Sequence, residues 1–285
     1  LVMERGERPM KLQTGICKKV LMDLINGERQ KDGLMEERLS MLNLKSFHQF
    51  YVMTVLTENI KSSPRKLKEL ELALRKIFPD RLSLDKEGQH ILVLPFKKAG
   101  QECVQADEMS PLLETFGVVA GLSETFENIR EIGRHYGESM RAIELGRCLG
   151  KNGVFYRYED YYFFSLLNAA EAQVVLSEYC RPELIKIQAY DKSHGTEYLR
   201  TLHAYLKFAG NTGDISKLLF AHRNTIICRM KKIREITGLD LSDGELCFKL
   251  FLSFKIIEFQ YPEYATGSEA WRNIVQNNRI KEATF

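Results

Sequence analysis

Three short helical segments separated by tight breaks, the last of them basic, constrain this chain more than any other feature of its sequence. Leu199, Leu202 and Leu206 recur at helical spacing on one face of a segment predicted from Thr196 to Phe208. Gly210-Asn211-Thr212 stops it, and a second short helix is expected from about Gly213 to Phe220, with Asn211 or Thr212 placed to cap its exposed amides. The turn at Ala221-His222 then leads to a third helix, Arg223 to Ile236, closed by Thr237-Gly238. Five basic residues (Arg223, Arg229, Lys231, Lys232, Arg234) fall within that third helix with no acidic residue among them between Arg223 and Arg234. Two short helices joined by a tight turn, the second strongly basic, form the arrangement that sets a recognition helix into the major groove of DNA.

A 100° wheel gathers Ile226, Met230 and Ile233 on one face of the third helix, so that face should be buried against the first two. The opposite face then carries Asn224, Thr225, Cys228, Lys231 and Lys232, while Arg223 and Arg229 flank the buried stripe and are expected to reach outward along their long stems. Amide, hydroxyl and guanidinium groups near the start of such a helix suit base edges. Lys231 and Lys232, further along, suit phosphates, and the helix dipole adds a favourable phosphate term at its start. The alternatives are a solvated charged face for the helix as a whole, and local capping for Asn224 and Thr225. His222 stands where a helix cap belongs and is read first as bonding the chain, second as a DNA contact. Cys228 reads as a small surface residue rather than a redox switch.

Upstream, apolar positions from Lys11 to Asn43 predict two helices interrupted at Asn26-Gly27. A β-rich run, Phe47 to Leu56, is followed by a helix from Pro64 to Ile77. Arg81 to Leu84 and His90 to Phe96 flank Lys86-Glu87-Gly88, a hairpin signal. Phe116 to Leu122 reads as a strand, Ile129 to Leu149 as a long helix ended by Gly150, and Val154 to Tyr158 as a last strand. The expected order is β-α-β-β-α-β, a ferredoxin-like pattern with helices over one face of an antiparallel sheet. The polar Lys97 to Ser110 stretch requires an insertion or an extra short helix. His135 and Tyr136 are expected to cover the sheet or face water rather than line a ligand cleft. The last helix should begin at a capping box, Ser242-x-x-Glu245, and bury Leu246, Leu250, Phe254 and Ile257.

The predicted fold is therefore mixed α+β: a helical lead-in (1–44), a ferredoxin-type α/β domain (45–160), a helical connector (161–192), an all-α helix-turn-helix domain (193–260) and a tail or added helix (261–285). The last would carry Ser268 as cap and Trp271, Ile274 and Val275 as apolar positions. The six cysteines are scattered singly, without a Cys-x-x-Cys pair, which points to a reduced, cytoplasmic setting. No apolar run approaches the ~20 residues of a bilayer span, so no membrane association is expected. The net charge of +3 is too small to name a partner; the distribution of charge carries the argument instead. A charged lead without pattern (Glu4, Arg5, Glu7, Arg8) behind Leu1 suggests a fragment whose upstream part is missing.

The run Tyr198-Leu199-Arg200-Thr201-Leu202, Tyr205-Leu206, Gly210-Asn211, Leu218-Leu219-Phe220, His222-Arg223-Asn224-Thr225-Ile226, Arg229-Met230, Ile233 and Thr237-Gly238-Leu239-Asp240-Leu241 resembles the C-terminal helix-turn-helix of the PucR/CdaR-type transcriptional regulators. Leu21 to Leu42 resembles the family's lead-in helices. Gly121-Leu122-Ser123 with Tyr136-Gly137-Glu138-Ser139 resembles its GGDEF-like middle domain. The resemblance implies sequence-specific binding of double-stranded DNA through His222, Arg223, Asn224, Thr225, Cys228, Arg229, Lys231 and Lys232. It also implies control of a catabolic operon, and a small-molecule effector sensed by a region N-terminal to this chain. Ser216 stands where the family usually has alanine and Cys228 where it usually has tyrosine, departures that bear on base preference rather than on DNA binding itself.

Active GGDEF domains make cyclic dinucleotides with a Gly-Gly-Asp/Glu-Glu-Phe turn. The equivalent hairpin here, Asp85-Lys86-Glu87-Gly88-Gln89-His90, lacks both the paired glycines and the adjacent carboxylates that hold two magnesium ions. No P-loop or Ser/His/Asp arrangement is present in the sequence. The chain is therefore expected not to be an enzyme and to need no cofactor or metal. A homodimer is expected, because one recognition helix reads too few base pairs to be selective. A ligand-sensing or protein-interaction module that does not itself bind DNA is the competing reading.

Overall fold

The computed structural model describes residues 15–27, 46–97 and 104–262, together with residues 37, 39, 40, 42 and 44. The chain divides into two compact units between Phe163 and Phe164. Most of the second predicted lead-in helix, part of the Lys97–Ser110 stretch and the segment beyond residue 262 lie outside the described residues.

In the first unit, α1 (Gly15–Ile25) precedes β1 (Gln49–Leu56), α2 (Pro64–Ile77), β2 (Leu82–Lys86), β3 (Gln89–Phe96), α3 (Ala106–Phe116), β4 (Val119–Leu122), α4 (Ile132–Cys148) and β5 (Phe155–Arg157). The sheet order is β2-β3-β1-β4-β5. Strand β1 runs antiparallel to both β3 and β4, and β5 adds itself parallel to β4. The β2–β3 hairpin turns through Glu87 (φ 49°) and Gly88 (φ 79°), two successive left-handed residues of the kind a tight hairpin requires.

Two expectations are corrected here. The helices cover both faces of the sheet, not one. Phe50, Val52, Ile91 and Val93 pack beneath α1 and α4, whereas Met53, Val55, Leu92 and Leu94 pack beneath α2 and α3. Successive side chains of a strand alternate between faces, so the uninterrupted run Ile91-Leu92-Val93-Leu94 is what a doubly covered strand demands. The second correction is the element order. Residues Ala106–Phe116 form a full helix, stopped by Gly117 in the left-handed conformation (φ 65°), so Phe116 ends a helix and β4 starts only at Val119. Of the two possibilities for the Lys97–Ser110 stretch, the extra helix is the one formed, beginning at Ala106 and running six residues past Ser110.

Helix α4 lies unusually close to the sheet. A Cβ on Gly121 would fall 1.9 Å from the Ser139 carbonyl oxygen, so only glycine fits there. The buried Thr54 hydroxyl meets Ser139 Oγ at 2.6 Å, and Ser139 Oγ in turn donates to the Tyr136 carbonyl. His135 and Glu138, both buried, pair at 2.8 Å, with His135 stacked on Phe126. Burial alone would raise the Glu138 carboxyl. The hydrogen bond to His135, the Glu124 amide and the charge of Arg134 outweigh it and hold the carboxyl below its ordinary range.

Helix α5 (Tyr158–Glu171) crosses the division between the units. The second unit continues with α6 (Glu183–His194), α7 (Tyr198–Lys207), α8 (Thr212–Leu219), α9 (Arg223–Thr237) and α10 (Gly244–Gln260). Its core joins Ile187, Leu199, Leu202, Ile215, Ile226, Ile233, Leu250 and Phe254. Asp191 on α6 ties down the start of α7 by accepting the Tyr198 and Leu199 amides at 2.8 Å each. The predicted cap of the last helix is also corrected. Asp243 caps α10, its Oδ1 accepting from the Glu245 and Leu246 amides at 2.9 and 3.3 Å, while Ser242 Oγ donates to Asp240. Among the described residues no helix is long and apolar enough to cross a membrane.

Candidate nucleic-acid interface

Helices α8 and α9 are joined by three residues, and each end of the turn is specified chemically. Asn211 caps α8 by accepting from the Gly213 amide at 3.0 Å and holds Asp214 with its own amide at 2.7 Å. Phe220 ends α8 in the left-handed conformation (φ 49°), which reverses the chain in a single step. His222 then caps α9, its Nδ1 accepting from the Asn224 amide at 3.3 Å. The expectation that His222 serves the chain as a cap holds. While Nδ1 accepts that bond, the ring N–H is carried by Nε2. Gly238 closes α9 in the left-handed conformation (φ 71°).

Ile226, Met230 and Ile233 of α9 are buried against the unit's core, as the wheel requires. Arg223, Asn224, Thr225, Cys228 and Lys231 are exposed. Arg223 and Lys231 form no ion pair among the described residues, so two full positive charges stand on the open side of the helix. Lys232 is half-buried and engaged, its ammonium 3.1 Å from Glu235 Oε2, and the hydrogen bond and charge of that carboxylate push its pKa upward.

Arg229 departs from the expected arrangement. Instead of reaching outward, its Nη1 lies 3.3 Å from Thr201 Oγ1 and 3.5 Å from Glu197 Oε2, both across on α7 or its N-cap. The Thr201 hydroxyl donates to the Glu197 carbonyl and so has a lone pair to offer the guanidinium. Arg229 therefore braces α9 against α7. The sequence wheel placed it on a flank but had no means of seeing a carboxylate 32 residues earlier.

The wheel also left out two apolar groups on the open side. Phe220 is 93% exposed in the turn and Ile227 is 52% exposed on α9. The sequence signal for Ile227 is its helix phase, 100° from Ile226; none marks Phe220 as exposed.

Residues 198–256 match the PucR C-terminal helix-turn-helix domain, and residues 26–145 match the GGDEF-like domain. The chain is 28% identical over 142 residues to the proline-responsive transcriptional activator PutR of Bacillus subtilis, covering 50% of this chain and 34% of that protein. It is 21% identical over 248 residues to the DNA-binding transcriptional activator AdeR of the same organism, covering 82% and 57%. It is 28% identical over 137 residues to the carbohydrate diacid regulator of Escherichia coli, covering 48% and 35%. In each case the chain spans less than two thirds of the relative's length.

Proposed function

We infer, from the premise that this chain carries the GGDEF-like domain and the PucR C-terminal helix-turn-helix of the PucR/CdaR-type transcriptional regulators, that it binds DNA sequence-specifically and controls transcription of a catabolic operon. The observation that carries the reading is the open side of α9: a capped helix start bearing Arg223, Asn224 and Thr225, with Lys231 behind them, all exposed. Docked as helix-turn-helix units dock, the N-terminal residues of α9 face base edges. Asn224 has the donor and acceptor pair for adenine, and Arg223 the fork for guanine. Thr225 and Cys228 complete the reading face. Lys231 addresses phosphate, as does the Nε2–H of His222; Lys232 reaches phosphate by exchanging its Glu235 partner, and Arg229 keeps the helix in position.

The first unit serves regulation or dimerisation rather than catalysis. The order of its β1-α2-β2-β3-α3-β4 portion, with β1 between β3 and β4, supports reading it as a ferredoxin-like, GGDEF-type unit extended by α4 and β5. At the hairpin, Asp85 is bonded to His90 at 2.6 Å, and no second carboxylate stands beside it in sequence to share a metal. Two copies acting together in the cytoplasm, with a small-molecule effector sensed elsewhere in the full protein, complete the proposal. Selection of bound fragments from sheared genomic DNA tests it. A recurring motif upstream of catabolic genes is the expected result, and retention of no duplex above a random control overturns it.

A further inference from the structure

We propose that Phe220 and Ile227 read thymine, making apolar contacts with its 5-methyl groups beside the base pairs addressed by Asn224. The proposal rests on the reading that α9 enters the major groove and deepens it by naming the base chemistry recognised.

Polar and charged side chains dominate the open side of α9, so a large apolar group there is left in water unless a partner covers it. Phe220 is the most exposed large hydrophobic of the described residues, at 93%, and it occupies a left-handed backbone conformation that a non-glycine residue adopts at a cost. Both penalties fall at the turn that precedes the start of α9, which is the end a helix-turn-helix unit presents to base edges. Ile227, 52% exposed, lies three residues beyond Asn224, hence on the neighbouring position of the same helix surface. Neither side chain contributes to the core of its unit.

The major groove offers one apolar group that distinguishes bases, the thymine 5-methyl. An amide that pairs with adenine and an aliphatic group one helical step away together suit A·T pairs in succession.

The test uses the full chain and a duplex it selects from a random-sequence library, resynthesised with deoxyuridine replacing thymine one position at a time. Deoxyuridine keeps every hydrogen-bonding group and removes only the methyl. The expected result is a loss of about four-fold at one or two thymines of each half-site, the worth of one buried methyl-sized group. Ile227→Ala or Phe220→Ala should abolish that discrimination at its own position while leaving the others intact. Equal binding of thymine and deoxyuridine duplexes overturns the inference while DNA binding stands. The same discrimination surviving in both alanine variants overturns it too, because DNA shape would then be responsible. Failure to select any duplex removes the underlying DNA-binding reading itself. Both side chains are exposed, so unchanged circular dichroism of the variants is expected.

Discussion

At the scale of single residues, and on the proposed reading, the open side of α9 separates groups that would read bases from groups that would hold phosphate. Replacing Asn224 by alanine should cost about 1–3 kcal/mol on a selected site and relax preference at one base position. Lys231→Ala should weaken all duplexes alike and lower the slope of log affinity against log salt by about one unit. Titrations at several salt concentrations distinguish the two, and equal losses on every sequence from both variants would contradict the division of roles. This face was legible in the sequence because burial of Ile226, Met230 and Ile233 fixes the phase of a 3.6-residue helix. What periodicity does not contain is a partner outside the helix. Arg229 therefore had to be found in space, on Glu197 and Thr201, as did the engagement of Lys232 with Glu235. Periodicity is equally silent about an apolar group that is meant to stay exposed, such as Phe220.

At the scale of elements, chain reversals and close approaches decide what the pattern of hydrophobicity leaves open. The sequence offers helix α3 only as one of two alternatives for the Lys97–Ser110 stretch, and its extent to Phe116 is masked by Pro111 inside it, yet Met109 and Leu113 are both buried one turn apart. The docking of α4 on the sheet depends on Gly121. Gly121→Ala should destabilise the first unit by about 1–3 kcal/mol or more, measured by denaturant unfolding, because its methyl would meet backbone that has no rotamer to yield. A wild-type midpoint in that variant would mean α4 is not held as described. Packing of α7 on α10 makes a second prediction. His203 stacks on Phe254 with ring centroids 4.6 Å apart, and burial lowers its pKa from 6.5 to about 4. Once unfolded, the imidazole binds a proton below pH 6.5, whereas the folded one stays neutral down to about 4. The unfolded state thus holds more protons in that window, so stability should fall as pH drops from 6.5 towards 4. His203→Phe should flatten the dependence of melting temperature on pH across that interval, and an unchanged slope would contradict a half-buried imidazole kept neutral there.

For the molecule as a whole, a net charge of +3 hides the one region where charge is organised, and the same averaging applies to symmetry. In the proposed docking a single α9, fifteen residues long, would place only its first turns against bases. The handful of base pairs so read recurs by chance many times in any genome, and specificity comparable to that of known regulators requires about 4–10 kcal/mol over non-specific binding. Two copies of the chain supply it if each reads one half of a symmetric site. The selected motif should therefore be an inverted repeat whose half-sites lie about 10–10.5 base pairs apart centre to centre, or a multiple of that spacing, so that both recognition helices meet the same side of the duplex. Inserting five base pairs between the halves turns one by about half a helical turn and should abolish tight binding, whereas inserting ten should restore much of it. Sedimentation of the complex should give two chains per duplex. A selected motif without internal symmetry, bound by one chain and indifferent to such insertions, would remove the dimer from the proposal and leave the chemistry of α9 to account for selectivity alone.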